Sequence, residues 1–276
     1  MMEMTDRIHT YYPSMTKSEQ KVARCVLEHP DNLIYFSVTE LADFAGTGET
    51  TVMRFCRKIG FKGYQDFKLA LAQGLPKQQA LSGRESKDGD YPTYLYESMV
   101  GVLQSSLSML DRGQLEESVN RIDSARHVQF FGVGSSAITA LDAKNRFLRI
   151  GRRVEAIADS HIQSMMAVTM GEGDVAFGIS VSGSTLDTNE MLMKAKQNGA
   201  TIIAMTNYAK SPIASIADIV LLTAGKESPL EGGSIGAKIS QLFIIDLICE
   251  GLERRHTDET KNMKERTARA VIDRIY

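Results

Sequence analysis

"DVAFGISVSGSTLDTNEM", residues 174–191, is the stretch on which the reading of the fold turns. Val175 to Ile179 is a short apolar run, the pattern of a strand buried on both faces. It breaks into Ser180, Ser182, Gly183, Ser184 and Thr185 before helical spacing resumes at Leu186. A turn needs one or two such residues, so five together ask for a second reason. On either side the same alternation repeats. "HVQFFGV" (127–133), "RVEAI" (153–157), "TIIAMT" (201–206) and "DIVLLT" (218–223) read as four more strands, with a helix in each gap. The helix at 136–150 ends at Gly151 as its C′ residue. The next opens with a Ser160-x-x-Gln163 capping box and runs to Gly171. Another runs to Gly199, and Ser211 followed by Pro212 starts a short one. The last helix carries Ile235, Ile239, Leu242, Ile245, Cys249 and Leu252 at spacings of three and four. Five strands joined by helices predict βαβ units and a five-stranded parallel sheet flanked by helices.

The N-terminal part has another texture. Residues 1–75 read as short helices with no strand, an all-α domain. "LPKQQALSGRESKDGDYP" (75–92) has linker composition. Leu95, Met99, Val102, Leu103, Leu107 and Leu110 then share one helical face, and 114–125 is a second short helix. The expected organisation is a helical domain at 1–75, a linker at 76–92, an α/β domain at 93–256 and a charged helical tail at 257–276. A length of 276 residues is enough for two modest domains. With 43% hydrophobic and 24% charged residues, the composition is that of a soluble globular protein. The longest apolar runs, "MMAVTM" and "LFIIDLI", fall far short of the roughly 20 residues a membrane span needs. Cys25, Cys56 and Cys249 form no C-x-x-C pair, and the N-terminus has no signal pattern. A cytoplasmic protein without metal or cofactor is the expectation. The formal net charge of -2 means that any role on nucleic acid must rest on a local patch.

Parallel α/β sheets bind ligands beyond the carboxyl ends of their strands. Two loops there have the right chemistry. The first strand runs into "GVGSSA", with Gly134, Ser135 and Ser136, and the third into the hydroxyl cluster at Ser180–Thr185. Each opens a helix, so free N–H groups and the positive dipole end point into the loop. No P-loop lysine is present, and the first loop lacks the third glycine of a dinucleotide fingerprint. A small phosphorylated or anionic ligand is therefore favoured over a nucleotide. "ISVSGSTLDT" and "FFGVGSSAITALDAKNRFLRIG" resemble the two signature loops of the SIS (sugar isomerase) domain, over about residues 110–252. That resemblance implies a flavodoxin-like strand order 2-1-3-4-5, with Ser180, Ser182, Gly183, Ser184 and Thr185 holding phosphate. It also sets Gly134, Ser135 and Ser136 against the sugar or the phosphate edge.

An isomerase would need a general base within reach of a carbon-bound proton. His161, Glu227 and Glu231 are the candidates; without that role His161 and Glu231 are expected among the ligand's contacts, and Lys238 early on the last helix could steady a phosphate. None belongs to a visible pair of polarised groups, so the expectation is no catalytic residue.

"SVTELADFAGTGETTVMRFCRKIGFKGYQDFK" (37–68) decides the class. Ser37-x-x-Glu40 caps a short helix, "AGTG" is a tight turn, and a second helix follows to Gly60. This is a helix-turn-helix, whose second helix can enter the major groove. Between 46 and 68, Arg54, Arg57, Lys58, Lys62 and Lys68 face only Glu49 and Asp66. The stretch, with "TKSEQKVARCVLEHP" (16–30), closely resembles the N-terminal domain of RpiR/MurR-type regulators, in which a linker joins it to a SIS domain. Gly48 departs from the family's Ser at the start of the second helix; Thr47 or Thr50 stands ready to replace its hydroxyl. Thr50, Thr51 and Arg54 are expected near base edges, and Arg57, Lys58 and Lys62 on phosphates. The expected protein is a DNA-binding transcriptional regulator of repressor type, a homodimer or homotetramer on a double-stranded operator. A phosphosugar effector would control its affinity. The alternative is a phosphosugar isomerase or lyase with an accessory helical domain.

Overall fold

The computed structural model describes residues 4–75, 90–225, 227–230 and 232–272. The expected linker thus lies almost wholly outside the described residues. Two compact units emerge, Met1–Val100 with Lys226–Ser234, and Gly101–Gly225 with Ile235–Tyr276.

In the first unit, helices α1 (Met4–Tyr11), α2 (Lys17–Glu28), α3 (Pro30–Leu33), α4 (Val38–Phe44), α5 (Glu49–Lys58) and α6 (Tyr64–Gly74) enclose one apolar core. Two capping boxes set their starts. Thr16 and Glu19 close the N-terminus of α2, and Ser37 and Glu40 that of α4, each side chain bonding the other's backbone N–H. Phe55 and Phe67 meet edge to face at 5.8 Å and are almost fully buried. Each such ring contributes about 1.5–3 kcal/mol by leaving water. Helix α7 (Tyr91–Met109) contains the division between the units.

Lys68 lies in this core and is only 7% exposed, so it leaves the basic stripe expected from the sequence. Burial pushes its ammonium down to about 8, against the pull of Glu40 and Glu227. The unfolded chain therefore holds more protons than the folded one between pH 8 and pH 10.5. The cost of burying the charge is fully present below the folded value and fades as pH rises toward the unfolded one. Lys68→Met should stabilise the helical unit near neutral pH by on the order of 2 kcal/mol and remove the rise in stability in alkali. Denaturant unfolding at pH 7 and pH 10 checks this; a variant as alkali-sensitive as the parent would contradict it.

The second unit contains α8 (Arg112–Ser124), β1 (His127–Phe131), α9 (Ser135–Arg149), β2 (Glu155–Ala156), α10 (Ser160–Thr169), β3 (Asp174–Ile179), α11 (Leu186–Gln197), β4 (Thr201–Thr206), α12 (Pro212–Ile216), β5 (Ile219–Leu222), α13 (Ile235–Arg255) and α14 (Thr257–Arg269). The sheet is parallel throughout, in the order β2-β1-β3-β4-β5. Strand alternation sorts the core into two layers. Phe130, Phe177 and Ile179 pack with residues of α8, α9 and α13, while Phe131, Ala176 and Ala204 pack with α10, α11 and α12. Phe130 and Phe177 are register partners with ring centroids 4.8 Å apart. Gly178 lets α11 lie close to β3, since a Cβ there would stand 2.3 Å from Leu192 Cδ1. The expected Ser160–Gln163 capping box does not form. Asp159 is the N-cap, its carboxylate accepting from Ile162 N–H, and Gln163 is turned inward. Among the described residues, no helix is long and apolar enough to cross a membrane.

Candidate functional site

β1 and β3 are neighbours, yet the helices after them leave to opposite faces of the sheet. That makes a switch point, and it sets the Gly132–Gly134 and Ser180–Thr185 loops side by side at the carboxyl edge. Ser180 Oγ lies 3.0 Å from Thr185 Oγ1, and Ser184 N–H donates to Ser182 Oγ at 3.2 Å. The loop is held from below. Gly183 carbonyl accepts from Ile213 N–H at 2.9 Å and from Asn189 Nδ2 at 3.2 Å. Thr206 Oγ1 donates to the Val181 carbonyl at 3.2 Å, and Asn207 N–H does so at 3.1 Å. Ser182, Ser184 and Thr185 are half-buried, whereas Ser180 is buried. Gly183 has φ +63°, and α11 begins at Leu186 with Thr185 as N-cap. A rigid, hydroxyl-lined turn at a helix N-terminus suits an oxyanion.

The first loop is built the same way. Gly134, at φ +59°, is the N-cap of α9, and Ser135 and Ser136 form the first turn. Lys238 on α13 donates to the Ser135 carbonyl at 3.4 Å, which brings its ammonium to this loop. One helical turn further, Gln241 Oε1 accepts from Thr139 Oγ1 at 2.9 Å. Gln163 supplies what sequence reasoning missed. Fully buried, it accepts from Gly132 N–H at 3.1 Å and donates to the carbonyls of Gly132 at 2.9 Å and Ile157 at 2.8 Å. Its one amide thereby occupies both polar groups of the glycine that opens the loop. Gln163→Ala would leave the buried N–H and carbonyl of Gly132 and the half-buried carbonyl of Ile157 unpaired, a loss of about 2–4 kcal/mol. Thermal unfolding of the α/β unit would show it, and Gln163→Glu, which keeps only acceptors, should not restore it.

His161 lies in the first turn of α10, is exposed and lines a cleft with Ser160, Ser164, Asp187, Glu190 and Lys194. Its cleft reaches Asp187, two residues after Thr185. Glu231 lies outside the described residues. Glu227 folds back on its own segment and accepts from the N–H groups of Gly233 and Ser234.

In the helical unit, α4, the turn at Ala45–Gly48 and α5 make the helix-turn-helix, with Gly46 at φ +60° and Gly48 as the N-cap of α5. Val52, Phe55 and Cys56 are buried, and Thr50, Arg54 and Arg57 form an exposed stripe at i, i+4 and i+7. Lys62 is exposed beyond it. Two residues expected at the DNA are engaged in the fold. Thr51 is 9% exposed and belongs to the packed face. Lys58 donates to Glu19 Oε2 at 2.7 Å and to the Ser14 carbonyl at 3.0 Å, tying the end of α5 to α2. The hydroxyl of Thr47 is buried without a partner among the described residues.

A family model for the rpiR-type helix-turn-helix domain matches residues 2–78, and one for the SIS domain matches residues 121–250. An HTH-type transcriptional regulator of Haemophilus influenzae is 38% identical over 97% of this chain and 96% of its own. The chain belongs to the rpiR family. It is a transcriptional regulator with helix-turn-helix and SIS domains. The HexR regulator of Escherichia coli is 32% identical over 99% of this chain and 97% of its own. Among solved structures, NanR of Vibrio vulnificus, complexed with ManNAc-6P, is similar with a TM-score of 0.88 and 31% identity, over 98% of both chains. In this rpiR-family chain the five-stranded order and the helical N-terminal domain agree with what the sequence predicted.

Proposed function

We propose that this regulator is a cytoplasmic, operator-binding repressor whose DNA affinity is set by a phosphorylated sugar held at the carboxyl edge of its sheet. The observation that carries the reading is the pairing of two N–H- and hydroxyl-rich loops at one switch point, with Lys238 against the first. Ser180, Ser182, Gly183, Ser184 and Thr185 would take the phosphate, and Gly134, Ser135, Ser136 and Lys238 the adjoining sugar. NanR, similar along its whole length, is solved with a phosphorylated amino sugar, which supports that ligand class.

On the DNA side, Thr50 and Arg54 would approach base edges, with Arg57 and Lys62 on phosphates. A two-fold homo-oligomer would match a palindromic operator, because each helix-turn-helix reads one half-site. Control by ligand requires that the sugar bind the two arrangements of the assembly unequally.

A mobility-shift assay on DNA upstream of the chain's own gene, repeated with a panel of sugar phosphates including ManNAc-6P, tests both halves. A discrete shift released by one compound is the expected result. A shift that no compound alters would remove the effector half, and no specific shift at low salt would remove the reading altogether.

A further inference from the structure

The amino edge of the same sheet, opposite the two loops, has a cleft of its own. β1 and β2 are in register only at Gln129↔Glu155 and Phe130↔Ala156, so His127 and Val128 have no partner residues on the β2 side. Where the strands part lies a cavity of about 270 Å³ lined by Arg126, His127, Arg152 and Arg153 over a floor of Ile122 and Val128. Every titratable residue in its wall is basic.

Two carboxylates stand near, and each is already engaged. Asp174 takes Arg126 in a two-pronged bond, Nε and a terminal nitrogen both at 3.0 Å, and accepts from Gly171 N–H. Asp123 accepts from Arg152 at 2.6 Å and meets His256 Nε2 at 2.9 Å, with Arg255 at 3.9 Å. His256 also has Glu259 at 3.7 Å, and Arg255 is bonded to Glu116. Arg153 and His127 have no ion-pair or side-chain hydrogen-bond partner among the described residues. The cleft therefore keeps an uncompensated positive charge in a concave, largely polar setting, where field lines concentrate and an anion is favoured.

We propose that this cleft is a second anion site, taking the phosphoryl or pyrophosphoryl group of a small metabolite independently of the sugar loops. The pairs Arg126–Asp174 and Arg152–Asp123 hold two guanidinium groups in fixed positions, so their orientation is set before a ligand arrives. Arg153 and His127 supply the free donors. Its position at the opposite end of the strands leaves both sites open to occupation together.

Titration of the full chain with inorganic pyrophosphate, followed by the imidazole proton resonances in NMR, tests the assignment. The chain has 5 His residues, and His127→Gln identifies one signal by its loss. That signal should move in a saturable way, and Arg153→Glu should weaken the apparent affinity about tenfold or more. Ser182→Ala, in the sugar loop, should leave the titration unchanged. The proposal falls if the His127 signal stays still while pyrophosphate binds elsewhere. It also falls if Ser182→Ala abolishes the response and Arg153→Glu does not. A linear, unsaturable shift in which Arg153→Glu matches the parent would mean screening by salt and would overturn it equally.

Discussion

Gly183→Ala is expected to abolish sugar-phosphate binding while leaving DNA binding in place. The residue sits at φ +63°, where a Cβ costs about 1–2 kcal/mol. That Cβ would also stand 2.2 Å from Ser211 Oγ and 2.9 Å from Thr206 Oγ1. Neither neighbour is free to yield. Ser211 Oγ donates to the Tyr208 carbonyl at 2.7 Å, and Thr206 Oγ1 donates to Val181 inside the same loop. Overpacking of this kind adds about 1–3 kcal/mol. The turn must open, which disperses the hydroxyls of Ser180, Ser182, Ser184 and Thr185, the groups proposed to take the phosphate. The expected loss of affinity is about 100-fold or more, since each oxyanion hydrogen bond contributes roughly 1.5–3 kcal/mol. The melting temperature of the α/β unit should fall by about 5–10 °C. In a mobility shift, the variant should hold its operator at effector concentrations that release the parent. Ser211→Gly in the same chain should recover part of the stability, because it relieves the contact but not the dihedral. Normal ligand binding by Gly183→Ala would show that the phosphate sits elsewhere.

Arg54→Glu is the second large effect, on the other domain. Arg54 is exposed on the stripe with Thr50 and Arg57 and makes no side-chain contact among the described residues that the fold requires. Reversing its charge should cut specific DNA affinity by about 100-fold, combining a lost base contact of about 1–3 kcal/mol with repulsion from phosphate. Unfolding of the helical unit and sugar-phosphate binding should be unchanged. Lys58→Ala is the informative contrast. It leaves Glu19, whose side chain is 4% exposed, without its cationic partner and with only the Thr16 N–H, so it should lower the stability of the helical unit by about 1–2 kcal/mol. If Arg54→Glu melted the domain and Lys58→Ala did not, the assignment of the two faces of α5 would be reversed.

The contrast between these residues marks how far the sequence reaches. Strand and helix alternation, the capping box at Ser37, and the glycine turn of the helix-turn-helix are written in spacings of a few residues. Their physics is local. A capping box closes within three positions, and a buried strand shows itself as an apolar run. The Ser180–Thr185 loop was legible for the same reason, because its hydroxyls, glycine and helix start are contiguous.

What the sequence could not separate were polar side chains of equal chemistry and different address. Lys62 and Lys68 read alike, yet one is in water and the other is 7% exposed. Gln163 reads as a capping residue, but Asp159 takes that place and the amide is spent on Gly132, 31 residues away. Lys58 reads as a phosphate ligand, and Glu19, 39 residues away, claims it. By itself the sequence determined the two domains' classes, the parallel sheet, the chemistry of the loops and the family. Only the tertiary structure decided which polar groups serve the fold and which remain for ligand or DNA. A buried donor or acceptor must find a partner, and the chain folds back over tens of residues to provide one.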